Sequence, residues 1–365
     1  MTHSRTGIDC FELNQMVKPL EQWFLENARV LPWREEPLPY YVWISEIMLQ
    51  QTRVEAVKPY FDRFIRKLGD VEALANATEE EYLKLWEGLG YYNRVRNLHV
   101  AAVQIMEEYG GVIPDDYQEL LKLKGIGSYT AGAISSIAYG KPEPAVDGNV
   151  LRVISRLTGD TSDIMKPQVK RHMEDKLRAV MRETNCNPST LNQALMELGA
   201  MVCVPNGAPH CEECPWQELC VAKKEQLIDQ IPVKTKAKKR RIENRTIFII
   251  RQGDTVAIQK RPNKGLLAGL YELPGAEGSL SEQEALEWVK EQGYGPLYIK
   301  KLPDSKHIFS HIEWHMTGYL IKIEDTEIKK APEKHIFVDA VTATEKYAIP
   351  SAFLAYASYF KKIDE

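Results

Sequence analysis

The sequence predicts two domains of different class, an all-helical one followed by a smaller mixed α/β one. Three observations carry this expectation. At 365 residues the chain exceeds the length, about 250–300 residues, at which a single hydrophobic core stops growing. Apolar spacing is helical from Asn14 to about Leu227 and alternates from about Thr246 onward. Between the two lies a basic run.

The helical part, placed at 1–230, shows apolar residues at helix spacing in Met16-Leu20-Trp23-Phe24, in Val57-Phe61-Phe64-Ile65-Leu68 and in Leu98-Ala101-Ala102-Ile105-Met106. Short Gly or Pro breaks separate these stretches, and no internal repeat or low-complexity tract occurs. The basic run, placed at 231–245, carries Lys234, Lys236, Lys238, Lys239, Arg240, Arg241 and Arg245 against a single Glu243. It reads as a linker, either a solvated tether or one that also touches phosphate.

From 246 to 365 the period is that of strands. Thr246–Arg251, a Gln252-Gly253-Asp254 turn and Thr255–Lys260 predict a hairpin. Ile308–Ile323 and Ile336-Phe337-Val338 read as further strands, and Ser281–Gln292 as one amphipathic helix.

The charge balance restricts function. A net charge of −4 excludes a uniformly basic, nucleic-acid-coating surface, so any such site must be local. The chain has no run of 18 apolar residues to span a bilayer, and Met1–Cys10 lacks a secretion signal. A cytoplasmic protein without membrane partners is expected. In a reducing compartment Cys203, Cys211, Cys214 and Cys220, packed within 18 residues, suggest metal ligation rather than disulfides.

Leu120 to Ile134 sets a Gly125-Ile126-Gly127 turn between two apolar helical segments, at about 120–140. Glycines there let backbone approach a ligand closely, and the second helix opens at Ser128 with N–H groups that favour an anion. This is the pattern of a helix-hairpin-helix, a sequence-independent clamp for DNA phosphates. About twenty residues later stands Val146-Asp147-Gly148-Asn149-Val150. With this pair of motifs the chain resembles the endonuclease III superfamily of DNA glycosylases, departing from it at Lys124, where many members have proline.

The cysteine spacing is C-x7-C-x2-C-x5-C, one residue longer in the first gap than the superfamily's usual iron–sulfur loop. Four thiolates suit zinc or a four-iron, four-sulfur cluster equally by spacing. The resemblance implies one [4Fe-4S] cluster, with an architectural role. His210, beside it, needs no ligand role.

Cleaving an N-glycosidic bond develops positive charge on the sugar while the base departs, so a site needs an acid for the base and a carboxylate for the cation. From Pro37 to Thr52 the only formal charge is Glu46, among Val42, Trp43, Ile44, Ile47, Met48 and Leu49. Desolvation there raises a carboxyl pKa toward neutrality and suits a general acid. Asp147 reads independently as the N-cap of a helix starting near Gly148.

Glu46 to Val54 closely resembles the catalytic motif of the MutY family of adenine DNA glycosylases, and the likeness extends over nearly the whole chain. It implies Glu46 as the acid and Asp147 as the second carboxylate, with Asn149 ordering water beside it. Tyr129 occupies the place of the lysine nucleophile found in strand-cutting members. Tyrosine forms no Schiff base, so efficient lyase activity is not expected. The resemblance further implies an adenine pocket of Leu31, Trp33, Arg34 and Gln193, and DNA contacts at Gln51, Thr52, Leu89, Tyr91, Gly125, Gly127 and Ser128. Core packing is the competing reading for Trp33, Leu89 and Tyr91.

In the C-terminal part Gly269–Gly275 resembles the entrance to a Nudix domain. The segment Glu284–Glu291 lacks the REUxEE order of glutamates, U being aliphatic, that holds magnesium in Nudix hydrolases. Hydrolysis is therefore not expected, and Phe309-Ser310-His311 matches the MutY family's 8-oxoguanine-sensing loop. The expectation is a monomeric enzyme acting, in the nucleoid, on duplex DNA with 8-oxoguanine:adenine or guanine:adenine mispairs. The alternatives are an oxidised-pyrimidine glycosylase/lyase of the endonuclease III type and a Nudix nucleotide hydrolase.

Overall fold

The computed structural model describes residues 7–235, 239–324 and 335–360. The chain divides into two compact units, residues 1–77 with 97–236 and residues 78–96 with 237–365. Among the described residues no helix is long and apolar enough to cross a membrane.

The first unit is helical. Its framework includes α1 (Val17–Asn27), α2 (Pro39–Leu49), α3 (Val54–Lys67), α4 (Tyr117–Lys122), α5 (Ser128–Ala133), α6 (Gly148–Thr158), α7 (Pro167–Glu183) and α8 (Pro188–Met201). Proline at the first turn of α2, α7 and α8 supplies a preset φ where no N–H partner is needed. Helix α2 is apolar almost all round and buried over most of its length, as a helix with no wet face must be. Asp147 caps α6, and Gly159 closes it at φ 66°, with Val221 so near that a Cβ would lie 2.6 Å from its Cγ1. One core joins α1, α6 and α8 through Leu20, Ile154, Leu195 and Leu198.

The second unit is built, among the described residues, on an eight-stranded sheet with the central path β3-β2-β1-β7-β5. The strands are β1 (Arg241–Gln252), β2 (Thr255–Lys260), β3 (Tyr271–Glu272), β4 (Gly275–Glu277), β5 (Pro296–Lys301), β6 (Ser305–Ile308), β7 (Ile312–Ile323) and β8 (His335–Val338). Strands β1 and β7 pair in parallel, from Arg241 opposite Ile312 to Arg251 opposite Lys322. Both faces are covered: Ile247 and Ile249 meet Phe353 and Tyr356, while Phe248 and Ile250 meet Ala285 and Val289 of α9 (Glu282–Glu291). Ser281 and Glu284 close a capping box on that helix.

Three expectations change. The strand read as Ile308–Ile323 is two strands: the Phe309 N–H donates to the Ile312 carbonyl at 2.8 Å, turning the chain so that Phe309-Ser310-His311 forms a hairpin tip. The run read as a linker is structured at both ends, since Ile231 is buried and 241–245 opens β1. Lys236 and Lys238 lie outside the described residues. Segment 78–96, read with the helical domain, packs in the second unit, where Arg96 Nη2 donates to the Ala268 carbonyl at 2.6 Å and Glu87 accepts the Ile349 N–H at 2.7 Å.

Candidate active site

Within the first unit a cavity of about 1230 Å³ gathers Leu31, Trp33, Arg34, Glu46, Gln51, Thr52, Tyr129, Asp147, Asn149 and Gln193. These come from six separate stretches of chain. Glu46 is 5% exposed, and Tyr129 donates its hydroxyl to Glu46 Oε2 while also approaching Met196 Sδ at 3.1 Å. Burial raises the Glu46 pKa to about 7, against the Tyr129 hydrogen bond, with the nearby Asp147 charge raising it and Arg34 lowering it. Burial also raises the Tyr129 phenol, which keeps it a donor.

Asp147 is half-buried, and burial raises its pKa too. It differs from Glu46 in its partners. Its Oδ1 accepts the N–H groups of Asn149 (2.9 Å) and Val150 (2.8 Å), and its Oδ2 accepts Asn149 Nδ2 (2.8 Å). Backbone donors at a helix N-terminus favour the anion. These donors oppose the effect of burial on Asp147, whereas Glu46 receives the Tyr129 hydroxyl.

The pocket wall contains two residues that sequence reasoning missed. Glu197, 1% exposed, receives Arg29 Nε at 2.7 Å and Nη2 at 2.8 Å, and Arg34 Nη2 at 2.9 Å. Burial works to raise this carboxyl, yet the two guanidiniums hold it at about 2. Arg34, expected in the pocket, is thereby fixed on its wall. Trp33 lines the cavity and packs edge-on against Phe61 at 5.3 Å, so it is wall and core together. Gln193 donates to Ser189 Oγ at 3.1 Å. A further missed residue is Asn192, fully buried, which accepts the Ala145 N–H and donates to Ser136 Oγ and the Glu143 carbonyl, clamping the loop that presents Asp147. Only the buried setting distinguishes it from a surface asparagine.

Gln51 and Tyr91 both adopt left-handed backbone, φ 59° and 48°, a conformation costly for residues with a side chain. Tyr91 is exposed, but Leu89 beside it is buried. In the hairpin Gly125 stands at φ 79°, and a Cβ there would lie 2.7 Å from Asn97 Cβ. Ser128 Oγ donates to Glu174 Oε1 at 2.8 Å. In the second unit Ser310 Oγ lies 2.9 Å from Tyr91 Oη, and the turn carrying Phe309, Ser310 and His311 lines a cavity of about 640 Å³.

Cys203, Cys211, Cys214 and Cys220 line one cavity of about 30 Å³ together with Arg156 and Lys223. Arg156 Nη1 sits 3.4 Å from Cys203 Sγ. None of the four forms a disulfide, and burial pushes the Cys214 thiol up to about 12. Among the described residues no group of three or more His, Cys, Asp or Glu is arranged to hold a single ion. Helix α6 connects this loop to the carboxylates: Arg152 donates to Asn149 Oδ1 (2.9 Å), the Gly199 carbonyl (2.8 Å) and the Cys203 carbonyl (2.9 Å).

A helix-hairpin-helix beside a cavity that carries the Glu46 and Asp147 carboxyls suits a base-excision DNA glycosylase. Residues 44–179 match the model described as HhH-GPD superfamily base excision DNA repair protein, and residues 246–358 match the NUDIX domain. A solved thermostable thymine-DNA glycosylase is similar, with TM-score 0.51 and 28% identity over 58% of this chain and 96% of that one. The adenine DNA glycosylase of Mus musculus is 34% identical over 371 residues, 86% of this chain and 72% of that protein. That of Buchnera aphidicola subsp. Acyrthosiphon pisum is 32% identical over 302 residues, covering 82% and 85%. The chain belongs to the adenine DNA glycosylase family. It is a DNA N-glycosylase with a Nudix-like C-terminal domain, acting on adenine in DNA.

Proposed function

We propose that the chain removes adenine mispaired with 8-oxoguanine, or with guanine, from duplex DNA, with Glu46 as general acid and Asp147 stabilising the oxocarbenium-like sugar. The observation that carries this is the unequal treatment of two carboxyls on one cavity, Glu46 raised to about 7 by burial and Asp147 held by three N–H donors. A protonated Glu46 donates to a ring nitrogen of the extruded adenine, which leaves with the bonding electron pair. The sugar's positive charge then faces the Asp147 carboxylate. Asn149, bonded to Asp147 Oδ2, is placed to order the water that completes hydrolysis. Tyr129 holds the Glu46 carboxyl toward the cavity and offers no amine for a Schiff base, so strand cleavage is not part of the reaction.

Leu31, Trp33, Arg34 and Gln193 form the adenine pocket. Gln51, Thr52, Leu89 and Tyr91 support the duplex while the base is out, and Gly125, Gly127 and Ser128 hold phosphate. Phe309, Ser310 and His311 read the oxidised partner. The four cysteines hold a [4Fe-4S] cluster: four thiols around one cavity, flanked by Arg156 and Lys223, suit an anionic group. When bound, the cluster fixes the fold of its loop.

The test is a gel assay on an 8-oxoguanine:adenine duplex. The wild type is expected to give strand breaks only after alkali, and Asp147→Asn to give none. Breaks without alkali, or full activity in Asp147→Asn, contradict the assignment.

A further inference from the structure

The segment expected as a tether ends in two hydrogen bonds to the 309–311 turn. Arg240 Nε donates to the Phe309 carbonyl at 3.1 Å, and the Arg241 N–H donates to the His311 carbonyl at 3.0 Å. The two peptide oxygens flanking Ser310 are thus both held from one side. Beneath the turn, Phe309 stands edge-on to Trp314 at 4.9 Å and to His307 at 4.6 Å. Trp314 is fully buried, its indole N–H donates to Glu243 Oε2 at 3.0 Å, and the Arg245 guanidinium lies 4.2 Å above its ring.

Register explains the arrangement. Glu243 faces Trp314 across the parallel β1–β7 pair, and Trp314 faces His307 across the antiparallel β7–β6 pair. The three side chains form one row over three strands, and Phe309 rests on it. Glu243 also holds Arg241 Nη2 at 2.5 Å and Arg245 Nη2 at 3.7 Å. Three of the basic run's charges therefore have protein partners, which a phosphate-seeking tether does not require.

We infer that residues 240–245 are the seat of the base-reading turn, and that Glu243, acting through Trp314, is a positioning residue for selectivity between 8-oxoguanine and guanine opposite adenine. The inference rests on the proposed reading of Ser310 and His311. A hydroxyl and an imidazole at a hairpin tip discriminate one base oxygen or N–H only if the tip is held to a fraction of an ångström. The tip's own residues supply one closing hydrogen bond and Tyr91 meets the Ser310 hydroxyl, while the row beneath and the two arginines hold the backbone and ring on either side of Ser310.

The test uses the full chain in single-turnover excision on 8-oxoguanine:adenine and guanine:adenine duplexes at one salt concentration. Glu243→Ala is expected to lower the ratio of the two rates by about tenfold, the effect of one misplaced hydrogen bond, with the guanine:adenine rate unchanged. Glu243→Gln, whose amide oxygen still accepts the indole N–H, should keep most of the ratio. Trp314→Phe, which leaves a ring under Phe309 but removes the N–H, should lower it and serves if Glu243→Ala folds poorly. An unchanged ratio in Glu243→Ala and Trp314→Phe, where Ser310→Ala loses it, overturns the seat alone. Equal losses on both duplexes with a shallower salt dependence also overturn it, and show phosphate contact instead. A wild-type ratio near one, or a ratio retained by Ser310→Ala, overturns the reading beneath it and the inference together.

Discussion

Glu46 is the residue whose surroundings say most about the chemistry. A glutamate with no charged neighbour in its own helix is visible in the sequence, and the buried setting of α2 turns that into a pKa of about 7. Its acid form is full well below pH 7 and is lost as pH rises through that value. Adenine excision should therefore fall about tenfold per pH unit on the alkaline side, a slope that single-turnover rates between pH 6 and 9 will show or refuse. Glu46→Gln should bind mispaired DNA yet excise adenine more slowly by about 10²–10⁴. Substantial turnover by that variant removes the acid role. What the sequence could not show at this scale is the Arg29–Glu197–Arg34 group, because three charges over 168 residues converge only after folding. Its carboxyl, at about 2 folded against an ordinary 4.5, contributes stability above about pH 4.5 that is lost as pH falls toward 2. Glu197→Gln should cost about 3 kcal/mol in denaturant unfolding at pH 7, with the gap to wild type closing in acid.

Among the elements, α6 links the cavity to the cysteine loop. Asp147 at its cap, Asn149 in its first turn, Arg152 beyond and Arg156 near its end run from the cavity to the cysteine loop. The sequence announced the cap and the cysteines separately, by an Asp-Gly-Asn helix start and by spacing. It did not announce Arg152, which looks like any helix arginine until its guanidinium is seen buried between Asn149 Oδ1, the Gly199 carbonyl and the Cys203 carbonyl. Arg152→Met should leave these acceptors unmet at a cost of about 1–3 kcal/mol. Thermal unfolding should register that loss, and excision should fall further than stability alone explains because Asn149 loses its anchor. Excision equal to wild type in a folded Arg152→Met would separate the cysteine loop from the carboxylates. The tip at 309–311 is the opposite case: alternation ran through Ile308–Ile323 without a break, since neither Gly nor Pro marks the turn, and only the Phe309–Ile312 hydrogen bond makes it one.

For the whole molecule, the change from helical to alternating period was legible because core faces repeat every 3.6 or every 2 residues. The grouping of 78–96 with the C-terminal residues was not, because it depends on contacts such as Glu87 with Ile349. The proposed function divides the work between the units, adenine cleavage by the carboxylates of the helical one and recognition of adenine's partner by the Nudix-like one. The direct measurement is single-turnover excision and binding by Ser310→Ala/His311→Ala on 8-oxoguanine:adenine and guanine:adenine duplexes at fixed salt. Guanine:adenine excision should survive while the preference for 8-oxoguanine falls by about one order of magnitude or more. An unchanged preference, or equal loss on both duplexes, contradicts that division.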